Sequence, residues 1–311
     1  MPEHAIAKRQ NAKAVKLRTA FGFSVTLMPQ HIITCPNCHQ FLTQHQNSWR
    51  CENNHSFDQA RQGYLNLLLA QHKKSKAPGD TQDMVDARQR LLNTDLYLPI
   101  SEKLNQLVLE QTIPLAQIAD IGCGEGYYTN RLYQAFAQEA KPMLYGIDIA
   151  KEALKRAAKR NKQIHWLVAS GSRLPFNDAG LDLLLNLFTN PMYQDYRRVL
   201  REDGLVIILS AGLKHLFELR QLIYPQVNLE AFSPEQAMQE QGFSLQATHN
   251  LSYQTKLNGQ QQIMDLLLMT PHRFKVKEEA LTKLKELNTL SLSIDINFYI
   301  FRADANKVDE L

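Results

Sequence analysis

Three of the four cysteines in this 311-residue chain lie in one short segment, and a histidine closes it. The residues are Cys35, Cys38, Cys51 and His55, with the spacing C-x2-C-x12-C-x3-H. Two close pairs, joined by enough chain for a small hairpin, can bring three thiolates and one imidazole around a single Zn²⁺ ion. Four protein ligands leave no open position for a catalytic water, so the spacing predicts a structural zinc site.

Two alternatives to this ligand set stay open. A disulfide is the other use for these cysteines, but disulfides are rare in a large chain without an export signal. His31, His39 and His45 lie nearby, and each is an alternative to His55, although none continues the paired spacing. We expect a zinc-binding module over residues 32–70, which the metal stabilises because so small a segment cannot fold around a core of its own.

Residues 118–132 (IADIGCGEGYYTNRL) form a second segment whose residues could bind a ligand. An apolar run ends at Asp120, and Gly122, Gly124 and Gly126 follow at alternate positions before a helical pattern. Glycine permits tight turns and lets a ligand approach the main chain. The segment has neither the dinucleotide spacing G-x-G-x-x-G nor the P-loop lysine. It favours a cofactor with a cationic amino-acid end, such as S-adenosylmethionine.

The following residues predict the scaffold of this loop. A second strand over 143–150 contains Asp148, whose carboxylate can accept both hydroxyls of a ribose. Further strands are predicted over 164–170, from Leu181 and over 205–209, with helical segments between them. Strands that alternate with helices predict a parallel, doubly wound sheet that binds ligands at the carboxyl ends of its strands.

The other periodic segments support this sheet. Residues 83–92 and 97–110 have the apolar spacing of helices, and 233–243 reads as a capped helix before a sixth strand. Residues 294–303 alternate as a final strand, which we expect to run antiparallel at or near the sheet edge. Residues 266–274 (LLLMTPHRF) are interpreted as a core helix ended by proline, or alternatively as a wall of the substrate pocket.

Composition sets few limits on function. The chain is 44% hydrophobic and 21% charged, as in ordinary globular proteins, and no apolar run approaches the length of a membrane span. The net charge of +4 equals the excess over residues 1–27, where five cationic side chains oppose Glu3. Global charge therefore gives no argument for nucleic acid. We expect residues 1–31 to be a disordered basic tail, with Met28 as an alternative natural start.

The order of these segments resembles one family. After the zinc spacing come GYLNLL (63–68), QHKKSKAPGD (71–80), DIGCGEGYYT (120–129) and HLFEL (215–219), and this succession is similar to the bacterial 23S rRNA (guanine-N1)-methyltransferases. Members of that family are zinc-containing enzymes that methylate a hairpin-loop guanine with S-adenosylmethionine. The resemblance implies an α/β protein with a class I (Rossmann-like) methyltransferase domain over 113–311, after a linker and helices over 71–112.

The resemblance also implies residue roles. Zinc would be held by Cys35, Cys38, Cys51 and His55. The family's cofactor contacts fall on Tyr97, Tyr128, Thr129 and His215. The glycine-loop motif adds Asp120, Gly122, Gly124 and Asp148.

No catalytic residue is assigned from the sequence. Guanine N1 carries a proton at neutral pH, so the protein must orient N1 toward the methyl group and let that proton leave. Asn190, Tyr193 and Asp195 lie beyond the fourth strand, near the expected methyl position, although capping a turn and a helix is the simpler interpretation. The segment TNPMY (189–193) only partly resembles the Asn/Asp-Pro-Pro-aromatic tetrad of amine methyltransferases.

RNA binding is expected to depend on local basic clusters. The lysines of HKKSKAPGD (72–80) are predicted to contact RNA, whereas those of KEALKRAAKRNK (151–162) suit a solvated helix face better. The predicted partner is 23S rRNA, in the cytoplasm, without a membrane; a homodimer stays open. The alternatives are a methyltransferase for another RNA such as tRNA, and a catalytically silent zinc-ribbon RNA-binding protein.

Overall fold

Two compact units make up the chain, residues 1–31 and residues 32–311. The structure, a computed structural model, describes 32–72, 75, 78–111, 116–138, 141–230 and 232–305, together with two strands of the first unit. These strands, Val15–Arg18 (β1) and Ser24–Leu27 (β2), pair antiparallel. The remainder of the first unit, where a disordered basic tail is predicted, lies outside the described residues.

One mixed sheet of eight strands organises the described part of the second unit. Its strands are Leu65–Asn66 (β6), Gln117–Ile121 (β7), Met143–Asp148 (β8), His165–Val168 (β9), Leu181–Leu187 (β10), Leu200–Ala211 (β11), Phe243–Asn258 (β12) and Thr289–Ala303 (β13). The spatial order is β12-β13-β11-β10-β7-β8-β9-β6. Strands β6 to β11 run parallel to one another, and β13 runs antiparallel between β11 and β12. Chain order reverses between β7 and β10, which is where such sheets open a ligand crevice.

Helices connect these strands. Their bounds are Gln82–Leu92 (α1), Leu98–Leu109 (α2), Tyr127–Ala135 (α3), Lys151–Arg160 (α4), Tyr193–Val199 (α5), Phe217–Ile223 (α6), Glu235–Gln239 (α7), Gln260–Met269 (α8) and Glu278–Glu286 (α9). Helix α1 begins where the Thr81 side chain accepts a hydrogen bond from the Met84 amide, and α2 has proline in its first turn. No described helix is both long and apolar enough to cross a membrane.

Alternation along the strands divides the core between the two faces of the sheet. On β7, Ile118 belongs to one buried cluster and Ala119 to the other. The first cluster takes side chains from α1, α2, α3, α4, α6, α8 and α9, which cover that face. The second takes side chains from α5 and α7, and from the residues around the cysteines. Both faces are therefore covered, as a parallel sheet requires.

The cysteine-containing segment is part of this second layer. It forms a small antiparallel sheet of Thr43–His45 (β3), Ser48–Arg50 (β4) and Ser56–Asp58 (β5). Buried Trp49 lies within the second cluster, so it packs in the core and is not exposed for a nucleic-acid base. Ile33 bridges to Phe176, and β6 extends the large sheet beyond β9. The zinc module and the large sheet thus form one compact unit.

A close approach of two elements on the first face gives a test of this packing. Gly146 lies in β8 beneath the buried indole of Trp166, and a Cβ at position 146 would come within 2.3 Å of that ring. The Gly146→Ala variant is expected to lose roughly 1–3 kcal/mol of unfolding free energy, as overpacked cores do. Urea unfolding followed by circular dichroism measures this loss.

The other residue of this contact, Trp166, provides the control. Trp166→Phe removes the ring atoms nearest to position 146, so Gly146→Ala should cost less in the Trp166→Phe background than in the wild type. Equal costs in the two backgrounds would show that the indole is not what excludes a side chain from position 146.

Candidate functional site

The four predicted zinc ligands converge in the structure. One ligand atom from each of Cys35, Cys38, Cys51 and His55 lies within 4.8 Å of all the others. Sγ of Cys51 lies 3.4 Å from Nδ1 of His55 and 3.6 Å from Sγ of Cys38. Sulfur ligands at about 2.3 Å from a tetrahedral Zn²⁺ ion are about 3.8 Å apart. The donor set and its spacing therefore fit one zinc ion with four protein ligands.

Tight turns hold each half of this cluster. The amide of His39 donates to the Cys35 carbonyl at 2.8 Å, and the amide of Asn54 donates to the Cys51 carbonyl at 2.9 Å. A hydrogen bond from the Gln40 backbone lowers the pKa of Cys38 to about 6, which favours the thiolate that binds zinc. Burial raises the pKa of Cys35 to about 11, and a bound cation would reverse that preference.

The alternative histidine ligands do not join the cluster. His39 and His45 are outside the group, and the His45 ring instead lies 3.2 Å from the Thr43 hydroxyl. The third alternative, His31, lies outside the described residues.

A cavity of about 840 Å³ opens at the carboxyl ends of the central strands. Seven of the eight residues predicted to contact the cofactor line it, namely Tyr97, Asp120, Gly122, Gly124, Tyr128, Asp148 and His215. The eighth, Thr129, is fully buried behind the cavity and donates its hydroxyl to Oδ2 of Asp120 at 2.6 Å. Thr129 therefore contacts the Asp120 carboxyl, which lines the cavity, and does not line the cavity itself.

The glycine loop has the conformation that its alternate spacing requires. Gly122, Gly124 and Gly126 all have positive φ angles, of 76°, 57° and 80°, which disfavour any residue with a side chain. The amides of Gly122 and Cys123 both donate to the carbonyl of Ile147, at 2.8 and 3.0 Å. The loop is thereby held against the end of β8, and its main chain faces the cavity.

Two carboxyls flank this loop, the buried one of Asp120 and the partly exposed one of Asp148. Asp120 is 1% exposed, and its Oδ1 has no partner among the described residues. Burial raises the pKa of Asp120 to about 7. Asp148 accepts the amide of Gly124 on Oδ2 at 2.9 Å and that of Ala150 on Oδ1 at 2.7 Å, and burial also raises the pKa of Asp148. An unpartnered buried carboxyl oxygen fits a cationic ligand group, and the oriented Asp148 carboxylate fits ribose hydroxyls, so the cavity suits S-adenosylmethionine.

Aromatic rings form one side of the cavity. The Tyr97 and His215 rings are 6.4 Å apart in an edge contact, and the Phe188 ring lies 6.5 Å from His215 and 6.2 Å from Tyr128. Burial lowers the pKa of His215 to about 4, so its imidazole is neutral at physiological pH. These rings give the cavity an apolar part in addition to its carboxyls.

The sequence analysis did not identify several residues that line the cavity. Arg88 of α1 forms an ion pair with Asp80 and donates to the Met269 carbonyl at 3.4 Å, which ties α1 to the end of α8. Met269 and His272 line the cavity, so the segment predicted as a helix or a pocket wall supplies both: α8 ends at Met269, and a 3-10 turn over Pro271–Phe274 follows. The helical spacing around Arg88 carried no signal for its contact with Met269, which lies on a distant segment.

The residues considered near the methyl position divide into two groups. Asn190 lines the cavity. Tyr193 packs against the second core cluster, and Asp195 accepts hydrogen bonds from Arg198 and from the Leu174 amide. Tyr193 begins α5, but the N-cap is Met192 and no side chain caps the helix, so the contacts of Tyr193 and Asp195 differ from the capping that the sequence predicts.

The two predicted basic clusters also differ. Lys73, Lys74 and Lys76 lie outside the described residues. On α4, Arg156 and Arg160 form ion pairs with Asp86 and Glu125. These two cations connect α4 to α1 and to the glycine loop, which supports a structural role for this part of the helix.

Removal of one buried thiolate tests the metal assignment. In Cys51→Ser we expect the zinc-to-chain ratio after dialysis against a chelator to fall at least about tenfold, since structural zinc sites depend on the complete ligand set. Because Cys51 also belongs to the core cluster shared with the sheet, thermal unfolding should occur at a lower temperature. Elemental analysis by mass spectrometry measures the zinc.

Cys123→Ser is the matched control for this experiment. Cys123 lies in the glycine loop, outside the metal-binding group, so the control variant should keep one zinc ion per chain. Full retention of zinc by Cys51→Ser would contradict the ligand assignment.

Comparisons with known proteins agree with this geometry. The zinc-ribbon model described as "RlmA, N-terminal" matches residues 33–76, and the model described as "Methyltransferase domain" matches residues 118–204. The chain is 30% identical over 257 residues to YxjB of Bacillus subtilis (strain 168), assigned by name to the 23S rRNA (guanine-N(1)-)-methyltransferases; the match covers 80% of this chain and 88% of that protein.

A second relative has a more specific name. The chain is 35% identical over 190 residues to the 23S rRNA (guanine(748)-N(1))-methyltransferase of Streptomyces fradiae, with 60% of this chain and 66% of that protein covered. Together with the cysteine cluster and the cavity, these matches assign the fold and the cofactors. The chain belongs to the 23S rRNA (guanine-N1)-methyltransferase family, as an α/β enzyme that uses S-adenosylmethionine and carries one structural zinc ion.

Proposed function

We propose that this protein transfers the methyl group of S-adenosylmethionine to N1 of a hairpin-loop guanine in 23S rRNA. The observation that carries the proposal is the cavity at the ends of β7 and β10, which is lined by a glycine loop, several aromatic rings and the buried Asp120 carboxyl, one oxygen of which has no partner among the described residues. The names of the matched relatives support N1 of a guanine as the acceptor. The cytoplasm, where ribosomal RNA is found, is the proposed location.

In this proposal the two carboxyls orient the cofactor. Asp120 accepts the ammonium group on Oδ1, and Thr129 fixes the carboxyl from behind. Asp148 accepts the ribose hydroxyls, and Gly122 and Gly124 let the cofactor approach the main chain. The bound cofactor supplies an electrophilic methyl group on its sulfonium.

The protein's remaining tasks concern the guanine. The base must be turned out of the RNA, held with N1 in line with the methyl group, and kept away from bulk water while the N1 proton leaves. Tyr97, Tyr128 and His215 enclose the cavity on one side and exclude water there. Asn190, at the same end of the sheet, offers an amide to the polar edge of the base.

Primer extension on 23S rRNA from cells lacking the gene tests the proposal. Methylation at N1 blocks the Watson–Crick edge, so reverse transcriptase should stop at one loop guanine only after incubation with protein and S-adenosylmethionine. RNA without the cofactor is the control. Methyl label in RNA without a stop would point to another atom or another RNA such as tRNA, and absence of label would favour a silent RNA-binding protein. Light scattering of the same preparation tests whether the protein is a homodimer.

The raised pKa of Asp120 predicts how cofactor binding depends on pH. Only the ionised carboxylate attracts the ammonium group, and the ionised form is lost as pH falls through about 7. Between about pH 7.5 and about pH 5.5 we expect the Kd for S-adenosylhomocysteine to rise at least about tenfold, because the ionised fraction falls about tenfold per unit below the pKa. Isothermal titration calorimetry measures this Kd.

Two variants isolate the group responsible. Asp120→Asn should bind weakly at both pH values, with little pH dependence left. Asp178→Asn changes an exposed carboxyl paired with Arg198, outside the cavity lining, and should behave as the wild type does. An unchanged pH dependence in Asp120→Asn would show that another group titrates.

A further inference from the structure

Phe188 is an unusual residue at the carboxyl end of β10. Its φ angle is +57°, in the left-handed region that a bulky side chain enters only under strain. The Phe188 amide donates to the Leu209 carbonyl at 3.1 Å, so the neighbouring strand β11 holds this conformation in place. Strain of this kind clusters at functional sites, where the surrounding structure over-determines it.

The phenyl ring of Phe188 is presented to the cavity. It is 42% exposed and lines the cavity together with two other exposed apolar side chains, those of Met192 and Phe232. Next to it, the His215 ring is tilted by only 20° from the phenyl plane at 6.5 Å, and the Tyr128 ring lies at 6.2 Å. An exposed phenyl ring with other rings beside it is therefore held at a cavity that the Asp120 and Asp148 carboxyls also line.

A flat ligand with apolar faces and a polar edge fits this arrangement. Aromatic side chains stack on single-stranded bases, and a base in a methylation pocket must leave its own stack first. The residue at the aromatic position of TNPMY, Tyr193, packs against the second core cluster and is not among the described residues that line the cavity. Phe188, two residues before the start of Asn190-Pro191, provides a ring in its place.

We infer that Phe188 is the stacking platform for the target guanine. Its ring stacks on one face of the base after the base has left its own stack in the RNA. This contact orients N1 toward the methyl group. Phe188 is thus a positioning residue that determines acceptance of a planar base. This assignment rests on the proposed function.

Three substitutions separate the ring from the strain. Phe188→Leu keeps apolar volume without an aromatic face, Phe188→Tyr keeps the face, and Phe188→Gly removes the ring but suits the positive φ angle. With 23S rRNA from cells lacking the gene, kcat/KM for methyl transfer should fall roughly 5- to 150-fold in the Leu and Gly variants, which corresponds to about 1–3 kcal/mol per stacked base. The Tyr variant should keep most of the wild-type value.

A binding measurement and a matched control complete the experiment. The Kd for S-adenosylhomocysteine should stay within about twofold of wild type in all three variants, since stacking of the base on the ring contributes to RNA positioning and not to cofactor binding. Phe274→Leu changes another exposed phenylalanine, 72% exposed and outside the cavity lining, and should leave both quantities unchanged.

The possible outcomes distinguish the two proposals. Methyl transfer by the wild type with equal kcat/KM in Phe188→Leu or Phe188→Gly would overturn the stacking role. A loss of cofactor affinity as large as the loss of kcat/KM would assign the ring to the cofactor and also overturn it. If the wild type methylates no RNA at all, the proposed function itself fails, and the guanine assignment fails with it.

Discussion

Burial of the Asp120 carboxyl at the end of β7 is the constraint on which the cavity depends. A carboxyl that is 1% exposed is costly to keep charged, and the protein offsets only part of this cost through the Thr129 hydroxyl. The other carboxyl oxygen has no partner in the part of the chain that the structure describes. The surrounding structure preserves that arrangement: the Ile147 carbonyl accepts two amides of the glycine loop, and Asp148 accepts a third, that of Gly124. A ligand with a positive charge would provide the partner that this oxygen lacks among the described residues.

The two-faced sheet explains how a small metal-binding segment becomes part of a large domain. Parallel strands need cover on both faces. On the second face, helices α5 and α7 leave space that the side chains around the cysteines fill, among them Ile33 and Trp49. The β6 segment then continues the sheet beyond β9. Zinc therefore stabilises a layer of the main core, in addition to the three short strands that surround it.

The sequence was sufficient wherever local chemistry determines the structure. The ligand spacing predicted the metal cluster, and three alternate glycines predicted a tight turn beside a strand end, where the structure has three positive φ angles. The antiparallel final strand was also predicted, and it lies one strand from the edge. Other features depend on contacts between distant segments. Arg88 reaches the Met269 carbonyl only because α1 meets the end of α8, and the Phe188 amide is held by the Leu209 carbonyl of β11, which lies further along the chain. Neither feature can be recognised from the hydrophobic periodicity of the sequence.

The bridge between Ile33 and Phe176 has a consequence for the order in which the protein is made. The two residues are well over a hundred positions apart, so the cysteine segment leaves the ribosome long before its partners on the sheet exist. During that interval its apolar side chains have no sheet to cover them. Coordination of zinc joins four nearby residues through short loops, which close quickly and at low entropic cost. The metal thus lets the nascent segment hold a defined shape until β9 and the Phe176 region emerge and the second layer can close.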